Sequence, residues 1–185
     1  MYNNAFNHVP CSPLKSVLSM KRIFSLAGFT LMTILSFCQS DSVALAPYQR
    51  FPTIPPFKLL EIDSSSYFTK SDLKKNKPVL IILFNPDCDH CKHETEEIIK
   101  NIDELRNVQI ILSTNMPFEM MKNFYEKFDL SKFENIIVGR DFQYILPSFY
   151  QIKFMPYLAM YDKKGNLLTT FQGSMKIEDL VHVFK

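Results

Sequence analysis

Cys88 and Cys91, separated only by Asp89 and His90, are the residues of this chain best suited to chemistry. A cysteine reacts, and binds metals, through its thiolate, and a two-residue gap lets both sulfurs meet within one helical turn. Such a pair exchanges electrons with another disulfide: one sulfur attacks and the other resolves the mixed disulfide. Competing uses of the same residues are narrower. A structural zinc site wants four ligands, and the sequence has no second closely spaced Cys pair. His90 and His93 complete a Cys/Cys/His/His set, so a copper- or metal-binding role through Cys88, Cys91 and His90 stands as the alternative. A purely structural disulfide here would close a loop too short to stabilise much. The other two cysteines, Cys11 and Cys38, precede the region that folds, which leaves too few for a disulfide framework.

The elements that must position the pair are readable around it. Val79 to Phe84 (VLIILF) is an unbroken apolar run of mostly branched residues, bounded by Pro78 and by Asn85-Pro86. A strand without polar alternation is buried on both faces, as central parallel strands are. The helix after it carries Glu94, Ile98, Ile99, Ile102 and Leu105 on one stripe with a polar opposite face. Cys88 and Cys91 therefore fall at a strand-to-helix junction. Unpaired N–H groups and the positive end of the helix dipole favour a thiolate at that position.

Further strands are expected at Phe57–Ile62, Val108–Leu112 and Asn135–Val138, with a second amphipathic helix at Phe118–Phe128. Thr69–Lys77 reads as a polar loop or short helix begun by a Ser71/Asp72 cap, and Ile145–Ile152 as a helical turn. Tyr157–Tyr161 and Leu167–Gln172 form a hairpin around a Gly165 turn, and Ile177–Phe184 closes the chain as a helix. Crossover units followed by an antiparallel hairpin predict an α/β fold, with a mixed central sheet flanked by helices on both faces.

Met20-Lys21-Arg22 followed by the apolar run Ile23–Phe37 has the pattern of a secretory targeting segment, too short for a comfortable membrane span. Leu35-Ser36-Phe37-Cys38 resembles the lipobox of bacterial lipoproteins, which makes Cys38 the lipidation candidate. Phe37 departs from the small residue usual there, and cleavage after Ala44-Leu45-Ala46 is the other option. The expected organisation is an N-terminal extension and targeting segment over 1–38, a flexible tether over 39–56, and one domain over 57–185. The net charge of +2, without a Lys/Arg-dense stretch interleaved with aromatics, makes nucleic acid a poor partner.

The segment Pro78–Cys91 resembles the strand-to-active-site region of thioredoxin-like proteins, and most resembles the TlpA/ResA-type branch of exported thiol–disulfide oxidoreductases. Phe154-Met155-Pro156-Tyr157-Leu158 strengthens the likeness. The resemblance implies a cis bond at Met155–Pro156 facing the cysteines, with Met155 presenting backbone to an incoming peptide. It implies that Glu94 handles protons or tunes the thiols, although Glu94 also reads as a solvated carboxylate in the run Glu94-Thr95-Glu96-Glu97. His90 matches the imidazole of DsbA-like proteins, which favours thiolate, whereas Asp87 and Asp89 oppose it, so the direction of electron flow is not set by these residues. His93 reads as an exposed helix residue, and His182 as packing on the last helix.

Two positions depart from thioredoxin itself. Ile82 stands where thioredoxin has a buried acid, and Asp87 where it has a Trp. Deprotonation of Cys91 then needs Glu94, water or another group. The implied function is disulfide exchange with exported proteins, Cys88 attacking and Cys91 resolving. It needs no cofactor beyond the Cys88–Cys91 disulfide, and it draws on a membrane or periplasmic electron donor. The implied location is exported, periplasmic and tethered as a lipoprotein.

Overall fold

The computed structural model describes residues 45–185. The expected targeting segment, Cys11, Cys38 and the first part of the expected tether lie outside the described residues. Among the described residues no helix is long and apolar enough to cross a membrane.

Seven strands form one mixed sheet in the order β2-β1-β5-β4-β3-β6-β7. They are β1 (Lys58–Leu60), β2 (Tyr67–Thr69), β3 (Val79–Leu83), β4 (Gln109–Thr114), β5 (Ile136–Arg140), β6 (Tyr157–Tyr161) and β7 (Leu167–Gln172). The central trio β3, β4 and β5 is parallel, and β6, β7, β1 and β2 add antiparallel pairs at the two sides. The α-helices are α1 (Pro47–Arg50), α2 (Asp89–Lys100), α3 (Phe118–Lys127), α4 (Ile145–Tyr150) and α5 (Ile177–Val183).

Every residue of β3 is buried. Because successive side chains point to opposite faces, the strand feeds two separate cores. Leu80 and Ile82 join Ile98, Met121, Phe124 and Leu180 from α2, α3 and α5. Val79, Ile81 and Leu83 join Leu146 and Tyr150 of α4, with Tyr157, Ala159 and Tyr161 of β6. The α/β class, with helices on both faces of a mixed sheet, is the one expected.

Some boundaries differ from expectation. The tether of 39–56 is corrected from Ala46 onward, because that stretch is built into the domain. Ala46 is buried, Tyr48 packs on Tyr150 with ring centroids 6.1 Å apart, and Thr53 bridges Asn166. Ile54 is buried and donates its N–H to Gly165 O at 3.1 Å. Spacing alone hid this, since the apolar residues of the segment follow no period and anchor one at a time. The strand β2 was unexpected. It pairs with β1 at the sheet edge and is only half-buried, so it leaves a weak pattern. The cap after it is Thr69, not Ser71/Asp72. Its N–H donates to Asp72 Oδ2 at 2.8 Å, and a short 3-10 turn, Lys70–Asp72, follows. The long stripe ending at Leu105 breaks after Lys100, and Ile102–Leu105 continues it as a 3-10 turn. His182 is exposed rather than packed.

One close approach fixes the edge of the sheet. A Cβ on Gly139 in β5 would lie 2.6 Å from Leu59 Cβ, and Leu59 of β1 is fully buried. Replacing Gly139 by Ala forces two strands apart, at about 1–3 kcal/mol as in other overpacked cores. Urea unfolding of Gly139→Ala is expected to show that loss at unchanged m-value; a midpoint equal to that of the parent chain would contradict the assigned packing.

Candidate active site

Asn85 and Pro86 end β3 and turn the chain into α2. Cys88 N donates to Asn85 O at 3.0 Å, and Lys92 N donates to Cys88 O at 3.0 Å, so Cys88 is the N-cap residue of α2. Cys91 lies one turn inward. The consequence is an unequal pair: Cys88 is half-exposed, whereas Cys91 is 1% exposed among Ile82, Phe84 and Ile98. Both are free thiols.

The far end of the chain converges on this turn. Met155–Pro156 is a cis peptide, and Cys88 Sγ donates to Met155 O at 3.9 Å. Pro156 is buried and its carbonyl accepts from Gly173 N at 2.7 Å. Gly173, at φ +97°, turns the chain out of β7 into a loop over α2. From that loop Ser174 Oγ donates to His90 O at 3.1 Å, and Met175 N donates to Glu94 Oε2 at 2.9 Å. Three bonds within Gly173–Met175 thus tie together the proline, the cysteine turn and the glutamate. Sequence reasoning missed Ser174 and Met175. Gly173 and the break between β7 and α5 were the only local signal, because a backbone donor leaves no side-chain pattern.

Glu94 is not a solvated carboxylate: it is 2% exposed. Burial pushes its carboxyl up from the ordinary 4.5 to about 7, against the opposing bond from Met175 N, with Glu97 raising it further. The Cys91 thiol is pushed up to about 12, first by burial and then by Cys88 and the Glu94 charge, against a backbone hydrogen bond from Asn85. A carboxyl that titrates near neutrality therefore sits one turn from a thiol that holds its proton tightly. The carboxylate arrives from the helix, while the strand position Ile82 stays apolar on the same face as Cys91.

His90 and Asp89 are exposed. Lys92 Nζ lies 2.9 Å from Asp89 Oδ1 and donates to Asp87 O at 3.1 Å, so the charge of Asp89 is met by its own helix neighbour. This pairing holds the Asp89 carboxyl below its usual range. The i,i+3 spacing of Asp89 and Lys92 is the sequence signal for this pair. His93 is exposed too. Among the described residues no group of three or more His, Cys, Asp or Glu side chains converges as a metal site would require. The Cys/Cys/His grouping considered from the sequence is not assembled by the fold.

A strand–turn–helix with a CxxC at the helix start, facing a cis-proline before an antiparallel strand, defines the thioredoxin-like class. The family described as thioredoxin-like domain matches residues 69–185, and the chain belongs to it. Solved structures agree on the fold. A secreted disulfide oxidoreductase of Mycobacterium tuberculosis, homologous to E. coli DsbE, superposes with TM-score 0.58 at 18% identity, over 69% of this chain and 92% of that one. StoA from Bacillus subtilis gives TM-score 0.55 at 18% identity, covering 71% and 98%. A peroxiredoxin-like protein from Aquifex aeolicus gives TM-score 0.56 at 16% identity, covering 70% and 82%. No curated protein matches the sequence.

The Glu94 carboxyl carries a pH signature. Its folded value lies above its unfolded one, so its contribution to stability is complete below about pH 4.5 and is lost as pH rises through about 7. Glu94→Gln keeps an acceptor for Met175 N and removes the buried charge. The variant is expected to gain roughly 3 kcal/mol over the parent chain above neutrality and nothing at acid pH. Thermal unfolding of the reduced proteins across pH measures this, and a pH-independent difference would contradict the buried-carboxylate account.

Proposed function

We propose that this chain is a thiol–disulfide oxidoreductase acting on exported proteins through Cys88 and Cys91. The observation that carries the reading is the unequal pair: a half-exposed N-cap sulfur beside the Met155 carbonyl, and a buried partner one turn behind it. An attacking thiol must be reached by substrate, whereas a resolving thiol must be reached only by its neighbour.

In the reducing direction, the Cys88 thiolate attacks one sulfur of a substrate disulfide. The S–S bond breaks, one substrate thiolate leaves, and a mixed disulfide joins Cys88 to the substrate. Cys91 then gives up its proton, attacks Cys88 Sγ and expels the second substrate thiolate. The substrate gains two electrons, and the protein is left with a Cys88–Cys91 disulfide. Glu94 is the base assigned to Cys91, because a carboxyl near pH 7 takes a proton and returns it in the same cycle. Met155 and Pro156 are assigned the contact with substrate backbone. His90 and Asp89 are assigned to tuning the couple from the exposed end of α2.

The Cys88–Cys91 disulfide is the whole redox equipment in this reading, without a further cofactor. A dithiol donor in the membrane or periplasm returns the protein to its reduced state. Export and lipid attachment at Cys38 belong to the same proposal; they rest on the apolar run 23–37 and the Leu35–Cys38 pattern.

Trapping tests the division of labour. Cys91→Ser is expected to accumulate a mixed disulfide through Cys88 when mixed with oxidised substrate, and Cys88→Ser to accumulate none. Non-reducing gels with mass spectrometry of the adduct read this directly. Adducts on Cys91 in the second variant, or none in the first, would reverse or remove the assignment. The parent chain is expected to show two free thiols after mild reductant and none after mild oxidant.

A further inference from the structure

The pole of the domain opposite the cysteines carries a second feature that the redox reading does not use. The residues 45–185 hold equal numbers of basic and acidic side chains, yet the basic ones are not evenly spread. Lys70, Lys74, Lys75, Lys77, Lys163 and Lys164 surround one open cavity of about 330 Å³, with Asp162 as its single acidic lining residue.

The cavity's place follows from the strand register. Val79, at the start of β3, lines it, whereas Cys88 follows the end of that strand. Val79 pairs with Tyr161 of β6, so the turn Asp162–Gly165 lies at the same pole. Five residues of β3 at about 3.3 Å each then separate this pole from the redox turn.

The two loops that present the lysines are held in shape. Gln109, 4% exposed, accepts from Lys74 N at 2.6 Å and donates to Lys74 O at 3.0 Å. The Asp162 carboxylate accepts from Lys164 N, Asn166 N and Asn166 Nδ2 at 2.8–2.9 Å, so its oxygens are committed to the turn and not to an ammonium. Lys70 Nζ donates to Ile54 O. Among the described residues none of the six lysines is in an ion pair, and all but Lys77 are exposed.

We propose that this lysine pole docks on the anionic headgroup surface of a membrane, with the cysteine turn facing away from the lipid. The choice of an extended surface over a small phosphate compound rests on the donors. Lysines are point charges on flexible stems, and no Arg fork or buried polar donor lines the cavity to orient one ligand. Several dispersed ammonium groups gain instead from a plane of fixed negative charge, additively and within a Debye length. The docking is independent of the redox reading, so either stands if the other fails.

The test is position-specific amine labelling of the full chain, read by mass spectrometry. The chain is mixed with vesicles of phosphatidylcholine alone, with vesicles containing phosphatidylglycerol, or with inorganic phosphate and no vesicles. On anionic vesicles at low salt, labelling of Lys74, Lys75, Lys163 and Lys164 is expected to slow about fivefold or more, and to recover near 1 M salt. Labelling of Lys122 and Lys132, and alkylation of Cys88, is expected to be unchanged. In the variant Lys74→Glu/Lys75→Glu/Lys163→Glu/Lys164→Glu, protection of Lys70 and Lys77 is expected to vanish while the thiol cycle persists. Equal labelling on neutral and anionic vesicles overturns the proposal. Equal protection by inorganic phosphate overturns the choice of a membrane surface. Protection that spreads to Lys122 and Lys132 overturns the choice of this pole.

Discussion

The structure depends on a strand that has no polar face. Every side chain of β3 is buried, so both sides of the sheet must be covered, and the backbone must be paired on both edges. That demand recruits α2, α3 and α5 to one side and α4 to the other. It also leaves the strand's end as the first place where the chain reaches solvent. The cysteine turn sits at that exit, with Cys88 still in contact with water and Cys91 already under the core.

Placing two thiols across this boundary makes them chemically different without any special residue at either. Burial is the largest cause that raises the Cys91 thiol, and burial likewise leads the rise of the Glu94 carboxyl toward neutrality. The two effects are coupled, because an ionised Glu94 makes Cys91 still harder to deprotonate. The bond from Met175 N works against that rise and favours the carboxylate. A loop some eighty residues downstream therefore shares control of the site with the helix that bears it.

How much of this could be read beforehand differs by element. The strand Val79–Leu83, the helix start at Cys88 and the hairpin around Gly165 follow from runs and breakers that act locally, and they lie where expected. The edge strand Tyr67–Thr69 and the packed segment Ala46–Ile54 did not announce themselves. The strand is a three-residue, half-buried partner of β1, and the segment is anchored by residues far along the chain, Asn166 and Tyr150, rather than by a period of its own. Glu94 is the instructive case within the site. Its neighbours Glu96 and Glu97 suggested a solvated acidic run, but helix geometry turns only Glu94 beneath the Gly173–Met175 loop.

The sequence by itself determined the closely spaced cysteine pair, the buried strand that leads to it and the proline that follows much later, because each depends on residue type and near-neighbour spacing. Only the tertiary structure decided which sulfur is sheltered, that Glu94 loses water, and that the Met155 carbonyl comes to 3.9 Å from Cys88. Burial and convergence are properties of the whole packed chain, and desolvation energies follow from them. The same holds for the six lysines. They are scattered over two stretches of sequence, and only the antiparallel pairing of β3 with β6 brings Lys74–Lys77 and Lys163–Lys164 to one pole.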